Sequence, residues 1–301
     1  MRLGRTARPD KLPGRVRGTS LNSYDALAPD VAALLSLPSP PPDLTASRPL
    51  APHAIVWELL RLGAQGLAQW SGLHKRLVYA NLRLDWFHEF RAYWCGVLGG
   101  RPIHPLDFGY LLGVYRARGQ DITAWDDPRL IYTLFTYTYR QALQPLRVRP
   151  FVRWIPRHAS VLEYGCGAAP MLTGLARYYR RLDLRLYGTD LPHVLFHFAR
   201  WKFRNDPNVH LVPLPAPLMA RFDVIFATEV LEHVPSPLQT VRDLHEMLMT
   251  GGALIYDFAE TDGQGLDSPT AQVERPAVQG FVATRFRVVA RVGGVVVARK
   301  L

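Results

Sequence analysis

The residues TEVLEHV, 228–234, set two carboxylates and an imidazole close together directly behind the apolar run FDVIFA. A histidine near its ordinary pKa is the side chain best suited to take up a proton at neutral pH. His233 is therefore a candidate general base, with Glu232 or Glu229 as its orienting partner. A plainer reading has the motif shape the turn after a strand and cap the next helix. A second stretch, VLEYGCGAAP at 161–170, passes from apolar residues through an acid and two close glycines to a proline. Glycine at 165 and 167 removes the Cβ atoms that would block a ligand. Pro170 suits the first turn of a helix, where no N–H is required. Such a junction presents free backbone N–H groups at the carboxyl end of a strand, where ligands of open α/β sheets collect. Taken alone, the two glycines also fit a tight turn with no ligand, and a dinucleotide site would want a third glycine where Pro170 stands.

These residues need elements to position them. SVLEYG, LRLYGTD, VHLVPL, FDVIFAT and GALIYDF are short apolar runs whose spacing leaves room for helices between them. Buried parallel strands read this way, and their alternation with helices predicts an α/β, doubly wound, mostly parallel sheet. The terminal FRVVARVGGVVVARKL has two β-rich runs around Gly293 and Gly294, which predicts a hairpin. Upstream, the rhythm differs. Residues 1–50 are rich in Arg, Pro and Ser and read as a disordered tail. Residues 51–150 read as a helical region, with amphipathic spacing over 53–95 and a helix over 127–146, although the β-branched and aromatic content of that last stretch would also suit a strand. Its aromatic stretch, 86–139, suits core packing or the wall of an acceptor pocket.

The four motifs VLEYGCGAAP, LYGTD, FDVIFATEVLEHV and GGALIYDF resemble, in order and spacing, those of class I S-adenosylmethionine-dependent methyltransferases. The resemblance covers about residues 150–301 and leaves 1–150 unmatched. It implies a Rossmann-like sheet of seven strands, the last antiparallel, with S-adenosylmethionine as cofactor. By the same resemblance Glu163, Gly165, Cys166 and Gly167 surround the methionine part. Asp190 accepts hydrogen bonds from both ribose hydroxyls, although it could instead cap the following helix. Leu191 and Glu229 complete the set, and the transferred methyl lies near Glu229, Glu232 and His233. Two departures stand out. Ala169 occupies a position where a third glycine is common, and no acid follows the third strand to hold adenine, which leaves apolar walls such as Leu214. Glu-x-x-Glu-His also resembles the metal-binding motif of small-RNA 3′-terminal 2′-O-methyltransferases. That site needs another histidine well downstream, and the last one here is His245, so no metal ligand is assigned. His193 and His197, four apart, are expected to pack rather than to ligate.

Composition sets outer bounds. A chain of 301 residues, 48% hydrophobic, can bury a sizeable core without disulfides. Its two cysteines, Cys95 and Cys166, form neither a disulfide framework nor a zinc set, which points to a reducing, cytoplasmic setting. The net charge of +11 is spread along the chain without the dense basic blocks of nucleic-acid arms. No secretory signal and no membrane-length apolar run is evident. The expectation is methyl transfer to a small molecule or glycan, at oxygen rather than nitrogen. The alternatives are a non-catalytic scaffold that keeps the fold, or a metal-dependent RNA 2′-O-methyltransferase.

Overall fold

The computed structural model describes Glu89, Ala92, Tyr93, Arg116, Ala117 and residues 148–301, apart from 216–220 and 259–266. The expected tail over 1–50, most of the helical region over 51–150 and the helix expected at 127–146 therefore lie outside the described residues. Glu89, Ala92 and Tyr93 are helical.

Seven strands form one sheet: β1 (Ser160–Tyr164), β2 (Arg185–Asp190), β3 (Val209–Pro213), β4 (Phe222–Ala227), β5 (Leu248–Tyr256), β6 (Phe286–Val292) and β7 (Val295–Lys300). Their order is β3-β2-β1-β4-β5-β7-β6. The first five pair in parallel, while β7 runs antiparallel to both β5 and β6. Every strand expected from the apolar runs is present, and the last is the antiparallel one. Only β5 begins earlier than its apolar run, because Leu248 pairs with Phe222 across a register shift before the ladder resumes at Ala253.

Among the described residues four helices connect the strands: α1 (Pro170–Tyr178), α2 (Val194–Phe203), α3 (Pro237–Met247) and α4 (Pro269–Arg285). The strand period of two sends alternate side chains to opposite faces. Val161, Val224, Phe226 and Ile255 pack with Leu172 and Leu175 of α1 and Phe196 and Phe203 of α2. Leu162, Ile225 and Leu254 pack with Val241 and Leu244 of α3 and Val278 and Val282 of α4. The sheet is thus covered on both faces, which is why its central strands read as continuous apolar runs. The core takes in Val148 and Phe151 of the short 3-10 segment ahead of β1.

The chain crosses from one side of β1 to the other between β3 and β4, so β1 and β4 are neighbours whose following helices lie on opposite faces. That switch opens a crevice at the carboxyl ends of β1 and β4. Both stretches singled out for chemistry lie there.

Candidate functional site

β1 passes to α1 through a tightly wound turn in which Gly165, Gly167 and Ala169 have φ of +65°, +50° and +54°. The left-handed region is open to glycine but strained for alanine. Ala169 is the N-cap of α1, and Pro170 takes the first helical position as expected. The conformation of Ala169 also explains why glycine would suit that position.

The expectation of free N–H groups in this turn is overturned at most positions. Cys166 N–H donates to the Thr189 carbonyl (3.0 Å) and Ala169 N–H to the Cys166 carbonyl (2.6 Å). Gly167 N–H donates to Asp190 Oδ2 at 2.6 Å. Met171 and Leu172 N–H donate to Glu163 Oε1 and Oε2 at 3.1 and 3.0 Å. Buried donors must find acceptors, and here the end of β2 and the last acid of β1 supply them. Glu163 is only 4% exposed, so the residue read as a cofactor contact has both oxygens engaged by the open end of α1. Burial pushes its carboxyl up to about 7, against the pull of these donors and of Lys202. The Cys166 thiol is buried beside it and is raised well above its usual range, chiefly by burial.

Gly165 has a further reason to be glycine. A Cβ there would lie 2.4 Å from Val230 Cγ2 and 3.0 Å from Cγ1. Val230 belongs to the TEVLEHV stretch, so the turn after β1 packs directly on the turn after β4.

Asp190 ends β2 and joins the two neighbouring turns. Its Oδ2 accepts from Gly167 N–H and its Oδ1 from Leu191 N–H (2.7 Å), with His193 Nε2 at 3.3 Å from Oδ1. It does not cap α2. His193 does, its Nδ1 accepting from Leu195 and Phe196 N–H at 3.2 and 3.3 Å. Nδ1 must then be unprotonated, which places the ring proton on Nε2, facing Asp190. Leu214, beyond β3, is partly exposed and donates its N–H to the Asp190 carbonyl at 2.8 Å. Leu191 is likewise partly exposed.

In the turn after β4, Val230, Leu231, Glu232 and Val234 are buried, while Glu229 is exposed with φ of +56°. Glu229 N–H donates to Asp257 Oδ1 at 2.6 Å. Glu232 is 5% exposed, and its Oε2 has no hydrogen-bond partner among the described residues. Burial pushes Glu232 up to about 8, with Asp257, Glu229 and Asp267 adding to the shift, so it is a neutral acid at pH 7. His233 is adjacent, its Nε2 3.9 Å from Glu232 Oε1, a contact too long for a hydrogen bond. The structure thus sets Glu232 beside His233, with Glu229 exposed in the same turn. None of these side chains caps α3. Glu274 of α4 does, accepting from Leu238 N–H at 2.9 Å. Ser268 anchors the turn from the start of α4, donating its N–H to the Glu232 carbonyl (2.7 Å) and its hydroxyl to the Val234 carbonyl (3.2 Å). No group of three or more His, Cys, Asp or Glu among the described residues is placed to hold a metal ion.

Sequence reasoning missed three polar side chains that shape this crevice: His193 as a cap, Ser268 as an anchor, and Lys202. Lys202 Nζ donates to the Ala168 carbonyl (2.5 Å) and to Thr173 Oγ1 (2.7 Å), tying α2 to the glycine turn. His197, its expected face-mate His193 being turned to the cap, is buried and hydrogen-bonded through Nδ1 to the Tyr93 hydroxyl at 2.6 Å.

Residues 135–285 match the model of a family described as a methyltransferase domain. The chain is 31% identical over 110 residues to the tRNA U34 carboxymethyltransferase of Aliivibrio fischeri (strain MJ11), a match covering 36% of this chain and 34% of that protein. The chain therefore spans about a third of the length of that relative. Among solved structures, a SAM-dependent methyltransferase from Aquifex aeolicus is 18% identical, with a TM-score of 0.40, over 52% of this chain and 89% of the other. The glycopeptide N-methyltransferase MtfA, complexed with S-adenosyl-L-homocysteine, is 15% identical with a TM-score of 0.40, over 52% of this chain and 90% of that one.

Proposed function

We propose, for a chain that belongs to the class I S-adenosylmethionine-dependent methyltransferases, that it methylates an oxygen of a small-molecule or glycan acceptor. The observation that carries the reading is the contact of Gly165 with Val230, which brings the turn after β1 against the turn that holds Glu232 and His233.

The residues at the crevice fit the cofactor. Each Asp190 oxygen accepts one backbone N–H. A carboxylate oxygen can accept more than one hydrogen bond, so both retain capacity for a pair of adjacent hydroxyls. Gly167 adds no side chain to the wall there, while the space a Cβ of Gly165 would take is occupied by Val230. Leu191 and Leu214 flank Asp190 as apolar surfaces for a base. Glu163, assigned to the cofactor contacts, also fixes the first turn of α1 by accepting from Met171 and Leu172 N–H.

When bound, S-adenosylmethionine supplies an electrophilic methyl group. The protein's part is to align an acceptor hydroxyl with it and to receive the hydroxyl proton, and alignment alone removes much of the barrier. His233 is the group we assign to take that proton. Glu232, neutral at pH 7 and buried beside it, holds the imidazole's surroundings rather than pairing with it as an anion. Glu229 is assigned to the rim of the cofactor site. We place the enzyme in the cytoplasm, in keeping with its free buried Cys166; no helix among the described residues is long and apolar enough to cross a membrane.

A second reading, an RNA acceptor, is favoured by the net charge of +11 together with the tRNA-directed relative. One experiment tests both. The protein is incubated with methyl-labelled cofactor and extracts of its own cells, with and without ribonuclease. Label in a small-molecule or glycan fraction that survives nuclease is the expected result. Label confined to RNA would replace the first reading by the second, and no binding of S-adenosylmethionine or S-adenosylhomocysteine in calorimetry would remove both.

A further inference from the structure

Lys202 lies near the end of α2, where a lysine would ordinarily extend into water. Instead its ammonium turns inward, between the rings of Phe203 (4.9 Å to the centroid) and Phe198 (5.6 Å). It donates there to the Ala168 carbonyl and to Thr173 Oγ1, and Thr173 in turn donates to the Ala169 carbonyl at 2.6 Å. Two carbonyls of the glycine turn are thus held, that of Ala168 by the ammonium from α2 and that of Ala169 by a hydroxyl of α1 to which the same ammonium donates. Enclosing a charge in this way is costly unless it is well paired, and packing α2 on α1 needs only an apolar side chain at this place. The turn itself needs an external hold, because three of its residues have positive φ and one of them is alanine.

We propose that Lys202 is a positioning residue for cofactor binding: its ammonium fixes the Ala168–Thr173 segment, and through it the Gly165–Gly167 turn, in the conformation that receives S-adenosylmethionine. The proposal rests on the cofactor reading of that turn. Ligand affinity gains when a loop is ordered before binding, since less freedom is lost on association. The helical segment ahead of the sheet braces the same place. Glu89 forms an ion pair with Arg177 of α1, and Tyr93 packs edge-on against Phe198 and Trp201 of α2. The charged and titratable groups facing Lys202 are Glu163 of β1, Cys166 of the turn, Arg177 of α1 and Glu89 of that segment. Burial brings the Lys202 ammonium down to about 8, so its hold weakens in the mildly alkaline range.

The test is the affinity of S-adenosylhomocysteine for the full chain and for Lys202→Met, measured by calorimetry from pH 6.5 to 9.5, with circular dichroism to show that the variant is folded. At the acid end the variant is expected to bind about ten- to a hundredfold more weakly, the effect of losing hydrogen bonds from a charged donor. The ratio of the two dissociation constants is expected to fall as pH rises through about 8. The ligand's own amino group, which titrates at higher pH, is common to both proteins and cancels in that ratio. Amide hydrogen exchange over 165–173 in the free protein should be faster in the variant. Thr173→Val, milder and of similar volume, should weaken binding severalfold and serves if Lys202→Met does not fold. Wild-type binding with a foldable variant within twofold of it at pH 6.5, or a ratio flat with pH, overturns the role of Lys202 and leaves the cofactor reading standing. If the wild type itself does not bind, the cofactor reading falls and this proposal with it.

Discussion

Replacing Gly165 by alanine adds one methyl group at the point where the two halves of the crevice meet. At φ of +65° any side chain carries the left-handed penalty, about 1–2 kcal/mol. The new Cβ also lies 2.4 Å from Val230 Cγ2 and 3.0 Å from Cγ1, well inside contact distance. Val230 is 6% exposed and has little room to withdraw; overpacking of this kind costs about 1–3 kcal/mol. Gly165→Ala should therefore destabilise the protein by about 2–5 kcal/mol, read from urea unfolding followed by circular dichroism. The two contributions separate in a double-mutant cycle with Val230→Ala. That change removes the methyls in the way, so the double variant should recover the packing part, a coupling of about 1–3 kcal/mol. The backbone part should remain. Coupling within about 0.5 kcal/mol of zero would show that the turn shifts to admit the methyl. The direct packing of the glycine turn on TEVLEHV would then no longer explain why 165 is glycine.

Three other outcomes follow from the same geometry. Asp190→Ala removes the acceptor of two backbone N–H groups and the proposed ribose contact, so calorimetry should show cofactor affinity falling by about ten- to a hundredfold; an unchanged dissociation constant would leave Asp190 only a structural role. His233→Ala should lower turnover on the identified acceptor by on the order of 10²–10⁴ with cofactor affinity nearly unchanged. Near-normal turnover would make the motif structural. For Glu163 the folded-state value, about 7, is above the ordinary 4.5, so between these the native state keeps a proton that the unfolded chain releases. Its contribution to stability should therefore fall as pH rises through that interval, by on the order of 3 kcal/mol in total, and Glu163→Gln should lack that slope in urea unfolding.

The strands were legible because burial on both faces leaves a simple trace, an unbroken apolar run of strand length. Leu248 escaped it: the start of β5 passes through Met249, Gly251 and Gly252 and is a strand only because Phe222 lies opposite across a register shift. The motifs likewise located the crevice, since type and order carry that information. What each polar residue does within it was less accessible. Glu163 and Asp190 were read as ligand contacts, yet both also bind backbone N–H groups of the chain itself. Those partners come from the first turn of α1 and the glycine turn, whose conformation no local pattern specifies. His193 escaped as a cap because histidine is not among the preferred cap residues, and Asp190, a better cap by type, stood three positions ahead of it.

Pairing of the turn's own N–H groups changes where recognition has to come from. A glycine turn with free donors could hold an anionic group by itself. Here Cys166, Gly167, Ala169, Met171 and Leu172 have already given theirs to Thr189, Asp190, Cys166 and Glu163. The glycines then contribute space and backbone shape, while the chemistry of binding falls to side chains at the rim: Asp190 from β2, Leu191 and Leu214 beside it, and the Glu232–His233 pair from the turn after β4. Those groups sit on three separate strand ends. Their relative placement depends on the bonds that tie the turns together, from Asp190 to Gly167, from Lys202 to Ala168 and from Ser268 to Glu232. A substitution in any of these ties should therefore appear first as lost affinity or misalignment, before the seven-stranded core itself is disturbed.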